Sequence, residues 1–233
     1  MYKKDENFKL DCTYQVVSIF NNVINLRYQN RIYSIFNQKI NKAPYSLIVD
    51  DDYFLKLKYS SNKTIFIPNL DVEEFSCYLE NHNKLIELSC IENKLKSLNR
   101  EFGLIEIAFQ NRRKDGILKD LLGLGIGLTP SGDDYIVGYM AGYYSLHQGI
   151  LPEFRLLANL AQSKTNEISA NYLNNASNRL FKQEILDVVN NISDEDYINN
   201  LLNMGFSSGQ DILYGIYDYF KRYDFKQRIG GLI

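Results

Sequence analysis

Gly123-Leu124-Gly125-Ile126-Gly127-Leu128-Thr129-Pro130-Ser131-Gly132-Asp133-Asp134 stands between two textures of chain, and its last part returns near the C-terminus. Ser131 to Gly138 and Ser208 to Gly215 share the pattern Ser-Gly-x-Asp-x-x-x-Gly. Tyr135, Ile136, Val137, Tyr139 and Met140 follow the first motif, and Ile212, Leu213, Ile216, Tyr217 and Phe220 follow the second. Both runs read as buried helices that begin at the motif. The repeat therefore predicts two similar corners facing one pocket.

Upstream of about residue 85 the chain reads as β. Cys12 to Phe20, Val23 to Tyr28, Arg31 to Phe36, Tyr45 to Val49, Tyr53 to Leu57 and Thr64 to Pro68 are rich in β-branched and aromatic residues. Short polar breaks such as Asn21-Asn22, Gln29-Asn30 and Asp50-Asp51-Asp52 separate them. That rhythm predicts a small antiparallel sheet or barrel. From about Ser89 apolar residues fall at helical spacing: Ile91, Leu95 and Leu98, then Leu156, Leu157, Leu160 and Ala161. Further stripes cover 168–176, 180–189 and 197–204, with Ser193 and Asp196 as a capping pair for the last and Leu104 to Phe109 as one extra strand. The expected fold is α+β: a β-rich N-terminal subdomain over 1–88 and a helical subdomain over 89–233 that carries the glycine motifs.

Composition narrows the function. At 233 residues, 45% hydrophobic and 23% charged, the chain is an ordinary globular protein. A net charge of −2 argues against a nucleic-acid surface. No apolar run approaches a membrane span, and Met1-Tyr2-Lys3-Lys4 lacks the apolar segment of a secretory signal. Cys12, Cys77 and Cys90 form no Cys-x-x-Cys pair, as expected for reduced thiols in a cytoplasmic protein.

The two corners admit three readings. Ser131 with Asp134 and Ser208 with Asp211 can be capping boxes of two core helices. Capping does not explain Gly132 and Gly209, where glycine costs about 1 kcal/mol relative to alanine in a helix. With Gly123, Gly125 and Gly127 just upstream, the backbone can approach a ligand closely and offer N–H groups to it. Helix N-termini with Thr129, Ser131, Ser207 and Ser208 then make a site for phosphate, carboxylate or a similar anion. Asp133 and Asp134 give weaker support for a divalent cation such as Mg²⁺. The loop is not a nucleotide loop, because the Lys-Ser/Thr that ends a P-loop and the dinucleotide glycine spacing are both missing. Thr165 and Ser169 lie four residues apart on one helix face, flanked by Asn166 and Asn171. His82 and His147 read as surface histidines. Arg112-Arg113-Lys114 reads as a solvated charge run able to steer an anion.

Leu122 to Gly138 resembles the signature of the family typified by the H subunit of oxamate carbamoyltransferase. Thr165-x-x-x-Ser169 and Gly205-Phe206-Ser207-Ser208-Gly209-Gln210-Asp211-x-x-x-Gly215 match that family's second and third motifs. The resemblance covers most of the chain. Ile126 stands where relatives often have proline, and Phe206 where they often have histidine. It implies a subunit of a multi-subunit enzyme of allantoin breakdown that converts oxalurate and phosphate into oxamate and carbamoyl phosphate. Such transfer needs an anion cradle, a polarised carbonyl and control of amide protons. The first corner would supply the cradle, through Gly125, Gly127, Thr129, Ser131, Gly132 and Asp133, with Thr165, Ser169, Ser207, Ser208 and Gly209 beside it. Asp134 and Asp211 would orient an amide N–H₂. The implied partners are a small anionic substrate and companion subunits, and phosphate is the implied small ligand. The alternative is a non-catalytic module that binds an anion or assembles partners.

Overall fold

The computed structural model describes residues 2–60, 63–81, 87–98, 118–205 and 207–230. Leu104 to Phe109, Arg112 to Lys114, His82 and Phe206 lie outside the described residues. The chain divides into two compact units: Met1–Tyr78 with Phe181–Gln183, and Leu79–Leu180 with Glu184–Ile233.

The first unit is a seven-stranded sheet. Its strands are β1 (Tyr2–Asp5), β2 (Cys12–Ile19), β3 (Val23–Tyr28), β4 (Arg31–Asn37), β5 (Ser46–Val49), β6 (Thr64–Ile67) and β7 (Val72–Phe75). Their order is β6-β2-β3-β4-β5-β1-β7. Most neighbours are antiparallel, as expected, but β4 and β5 run parallel from Ser34↔Ser46, and β1 and β7 run parallel from Tyr2↔Val72. One face packs Tyr14, Ile24, Leu26, Tyr33 and Leu47 into the main core, and the other gathers Phe36, Ile48, Phe75 and Cys77. All four residues of β5 are buried, which suits a strand covered on both faces.

Tyr53 to Leu57, read above as a strand, belongs to helix α1 (Asp51–Lys58). Asp50 is its N-cap, with Oδ1 accepting the Tyr53 N–H at 2.8 Å, and Asp51 and Asp52 occupy the positive first turn. Phe54 and Leu57, three residues apart, turn the same way into the core. The acidic triplet read as a strand break is thus a helix start. Asp50→Ala is expected to cost about 1 kcal/mol of stability, read as a shift of the urea midpoint.

The second unit holds the remaining helices described: α2 (Ser89–Ser97), α3 (Ser131–Leu146), α4 (Pro152–Lys164), α5 (Glu167–Ser177), α6 (Gln183–Asn190, which begins in the short segment returned to the sheet unit), α7 (Glu195–Leu202) and α8 (Ser208–Gly230). A 3₁₀ turn, Leu118–Asp120, leads into the glycine stretch. In α4 the buried residues are Phe154, Leu157, Ala158 and Ala161, while Leu156 and Leu160 of the expected stripe are exposed. The cap of α7 is Asp194, whose Oδ1 accepts from Asp196 N at 2.9 Å, rather than Ser193.

Helices α3 and α8 form the centre of this unit. Their contacts climb together: Gly138 meets Ile212, Gly142 meets Ile216 and Tyr219, and His147 meets Tyr219 and Tyr223. The two helices are therefore parallel, with both N-termini at one end. The crossing is reciprocal. A Cβ on Gly138 would fall under 3.0 Å from the Ile212 carbonyl oxygen, and one on Gly215 equally close to that of Tyr135. The last residue of each sequence motif is thus fixed by backbone meeting backbone.

Candidate functional site

Parallel helices that cross at their glycines must bring their starts together, and Thr129 Oγ1 lies 3.0 Å from Ser208 Oγ. The two corners share a backbone plan. Leu124 N donates to Leu121 O and Gly132 N to Leu124 O; Met204 N donates to Leu201 O and Gly209 N to Met204 O. A side chain on Gly132 or Gly209 would collide with the carbonyl of Leu121 or Leu201. These glycines sit in the first helical turn because the incoming loop presses on them. Their N–H groups are spent on that loop rather than offered to an anion.

Capping differs from the simplest expectation. Pro130 is the N-cap of α3, and no side chain caps it; Ser131 is the first helical residue. In the second corner Asp211 N bonds Ser207 O at 3.0 Å, which puts Ser207 in the equivalent cap position. Asp133 and Asp134 occupy the first turn of α3, and Asp211 that of α8. All three carboxylates are buried.

Asp133 is a brace. Its Oδ1 accepts Gly123 N at 2.8 Å, and its Oδ2 accepts Ser169 Oγ at 2.7 Å and Thr165 Oγ1. Asn166, the N-cap of α5, accepts Ser169 N at 3.1 Å and donates its Nδ2 to Leu128 O at 2.9 Å. Thr165 and Ser169 thus join the first corner by holding Asp133 and the glycine loop, but not from one helix face as expected: Thr165 is the extended C-cap of α4, and Ser169 lies in the first turn of α5. Asp133→Asn keeps the shape but turns one accepting oxygen into a donor facing two hydroxyls or an N–H. We expect about 2 kcal/mol of destabilisation and faster amide exchange at Gly123, checked by denaturation and hydrogen exchange.

The expected site residues separate into two groups. Gly132, Gly209, Asp133, Thr165 and Ser169 build the corners. Thr129 and Ser208, half-buried, meet between the two helix starts, where Ser131 and Ser207 are half-buried and Asp134 and Asp211 buried. Gly125 holds φ +127° against Ser131 N, and Gly127 holds φ +91° in open space. Sequence reasoning missed Tyr172. It is buried in α5, and burial first, then the charges of Asp134 and Glu184, push its phenol well above its usual pKa. Its only sequence signal was its place three residues after Ser169, on the same helical face. Two helix N-termini, roughly +0.5 charge each, thus face hydroxyls, carboxylates and a phenol kept protonated. That set can accept amide hydrogens while donating to an oxyanion or carbonyl. Among the described residues, no group of three or more His, Cys, Asp or Glu is placed to hold a metal.

His147 is half-buried rather than a freely exposed surface histidine. It is the C-cap of α3, at the far end from the corners, with Nε2 2.6 Å from Tyr219 Oη and its ring stacked on Tyr143. Burial lowers its pKa. The unfolded chain, titrating near roughly pH 6.5, takes the proton first as pH falls. Stability should therefore be independent of His147 above that pH and decline below it, until the folded form also protonates. The chevron midpoint of wild type against His147→Gln, measured between neutral and mildly acid pH, should show the slope flattened in the variant.

The fold and corners define an α+β protein whose helical unit joins two Ser-Gly-x-Asp corners at the starts of parallel helices. Two family models match such a chain: the AllH family N-terminal domain over residues 4–89, and oxamate carbamoyltransferase subunit AllH over residues 121–220. The chain belongs to the AllH family. No solved structure matches it. No helix among the described residues is long and apolar enough to cross a membrane.

Proposed function

We propose that this chain is a subunit of a cytoplasmic multi-subunit carbamoyltransferase and that its paired corners bind a small carboxylate, carbamoyl or phosphate ligand. The observation that carries the reading is the 3.0 Å approach of Thr129 and Ser208, 79 residues apart in the chain, which brings the two motifs together at the positive ends of two parallel helices. The half-buried hydroxyls of Thr129, Ser131, Ser207 and Ser208, beside the positive helix ends, would hold an oxyanion or polarise a carbonyl. Asp134 and Asp211 would accept the N–H₂ of an amide, fixing its orientation. Tyr172, held protonated near Asp134, would supply a hydrogen-bond donor.

Thermal stability measured with phosphate, oxamate and carbamoyl phosphate tests the reading. A ligand at 100 times its Kd adds about 2.7 kcal/mol to the native state. Ser208→Ala should remove that gain while leaving the unliganded protein close to wild type. If none of the three compounds raises the melting temperature, or if Ser208→Ala preserves the gain, the corners are not the pocket. Phosphorolysis of oxalurate, with and without companion subunits, then separates catalysis from binding.

A second reading, a non-catalytic anion-binding or assembly module, has its own support. Asp133, Thr165 and Ser169 are committed to one another, and His147 sits at the opposite end of α3 from the corners. Binding without turnover in any subunit combination would favour it.

A further inference from the structure

The two corners share a backbone plan but differ in length. Eight positions separate Leu124 from Gly132, but five separate Met204 from Gly209, although both pairs make the same backbone bond. The second corner therefore closes the shared plan with three fewer residues. The surplus falls in the stretch from Gly125 to Leu128. There Ile126 is 87% exposed and Leu128 50% exposed, and a Cβ on Gly127 would meet nothing within 4 Å. Two large apolar side chains held in water are unfavourable, and nothing in the corner's own packing requires them.

Tethers bracket this tip. Asp133 holds Gly123 on one side, and Asn166 holds the Leu128 carbonyl on the other. Between them Gly125 and Gly127 have positive φ, a region glycine leaves and enters at little cost. Gly125 also abuts the start of α3, its Cβ position 2.6 Å from Ser131 N. The tip therefore stands between two fixed points, beside the start of α3 where Thr129 meets Ser208.

We infer that Gly125–Leu128 is a lid, which swings at Gly125 and Gly127 to lay Ile126 over a ligand bound at the paired corners. The inference rests on the site proposed above. Closure buries the exposed isoleucine and excludes water, which strengthens the hydrogen bonds beneath it. Asn166 is the latch: its bond to Leu128 O fixes the C-terminal end of the lid to the cap of α5.

The chain contains no tryptophan, so Ile126→Trp introduces a single reporter at the tip. With phosphate and oxamate added together, its emission should move to shorter wavelength and its quenching by acrylamide should fall roughly three-fold, as an exposed ring becomes covered. Deleting Ile126 to Leu128 should leave the melting temperature within about 3 °C of wild type and weaken the Kd of either compound at least ten-fold. If the compounds stabilise wild type but the reporter does not respond, the lid is wrong and the site stands. If they stabilise nothing, site and lid fall together. Shielding that appears without ligand and grows with protein concentration would assign the tip to contact between copies, and a deletion variant that cannot fold would show the tip to be structural; either result overturns the lid.

Discussion

Arg179→Lys should destabilise the protein by about 3 kcal/mol and Arg179→Ala by about 3–5 kcal/mol, although neither touches the candidate site. Arg179 is among the largest fully buried side chains, and its partners are carbonyl oxygens. Nε donates to Leu79 O at 2.8 Å, Nη1 to His147 O at 2.7 Å and Gly149 O at 3.0 Å, and Nη2 to Tyr144 O at 2.7 Å. Its guanidinium lies over the Tyr144 ring, 4.8 Å from the centroid. One planar fork thus ties the end of α3 to the turn after it and to the strand of chain at Leu79. Removal strands several buried acceptors, each costing about 1–3 kcal/mol unless water reaches it. Lysine keeps the charge but presents one compact ammonium that cannot span the same carbonyls. Urea denaturation decides it: an Arg179→Lys midpoint equal to wild type would mean that charge alone, not the fork, holds this turn.

Nothing in the sequence announced Arg179. It stands in Ser177-Asn178-Arg179-Leu180, at the end of a helix, where an arginine is usually solvated. Its burial follows from left-handed backbone at φ +67°, which turns the side chain inward. Nonlocal geometry of this kind leaves no periodic trace. The same limit explains the parallel pairs of the sheet. Val23–Tyr28 was legible to the residue, because its alternation is local and its neighbours follow directly in the chain. Strand β1 was missed because Tyr2-Lys3-Lys4-Asp5 carries little apolar signal, and β7 because Val72-Glu73-Glu74-Phe75 has a charged middle. Both are held by their partners, not by their own composition.

The corners were partly legible for the opposite reason. A repeated pattern records a repeated backbone plan, so the meeting of Thr129 with Ser208 was foreshadowed by the recurrence of Ser-Gly-x-Asp. The roles within the pattern were not. Asp133, outside the shared pattern, carries the brace to Gly123, Thr165 and Ser169, whereas the shared Asp134 and Asp211 point to the ligand proposal. Adjacent residues on a helix face about 100° apart, and only the position of α5 decides which one meets Thr165.

Gly138→Ala sets two principles against each other, and packing should win. Alanine in a helix interior is favoured over glycine by about 1 kcal/mol, so propensity alone predicts a more stable protein. At this position the added methyl would fall under 3.0 Å from the carbonyl carbon and oxygen of Ile212, backbone atoms of a helix that cannot rotate out of the way. Separating α3 from α8 enough to admit it also loosens contacts along the pair, including Tyr135 Oη to Asp218 Oδ2 at 2.6 Å and Gly142 against Tyr219. We expect a net loss of about 3 kcal/mol or more for Gly138→Ala, failure to fold for Gly138→Val, and a matching loss for Gly215→Ala against the Tyr135 carbonyl. The two alanine losses should not add, since the first already opens the gap that the second needs. The effect reaches the site as well, because the crossing is what holds Thr129 beside Ser208. Any ligand that stabilises wild type should bind Gly138→Ala at least ten-fold more weakly, in protein still folded by circular dichroism. A Gly138→Ala protein more stable than wild type would show that the glycines do not set the crossing.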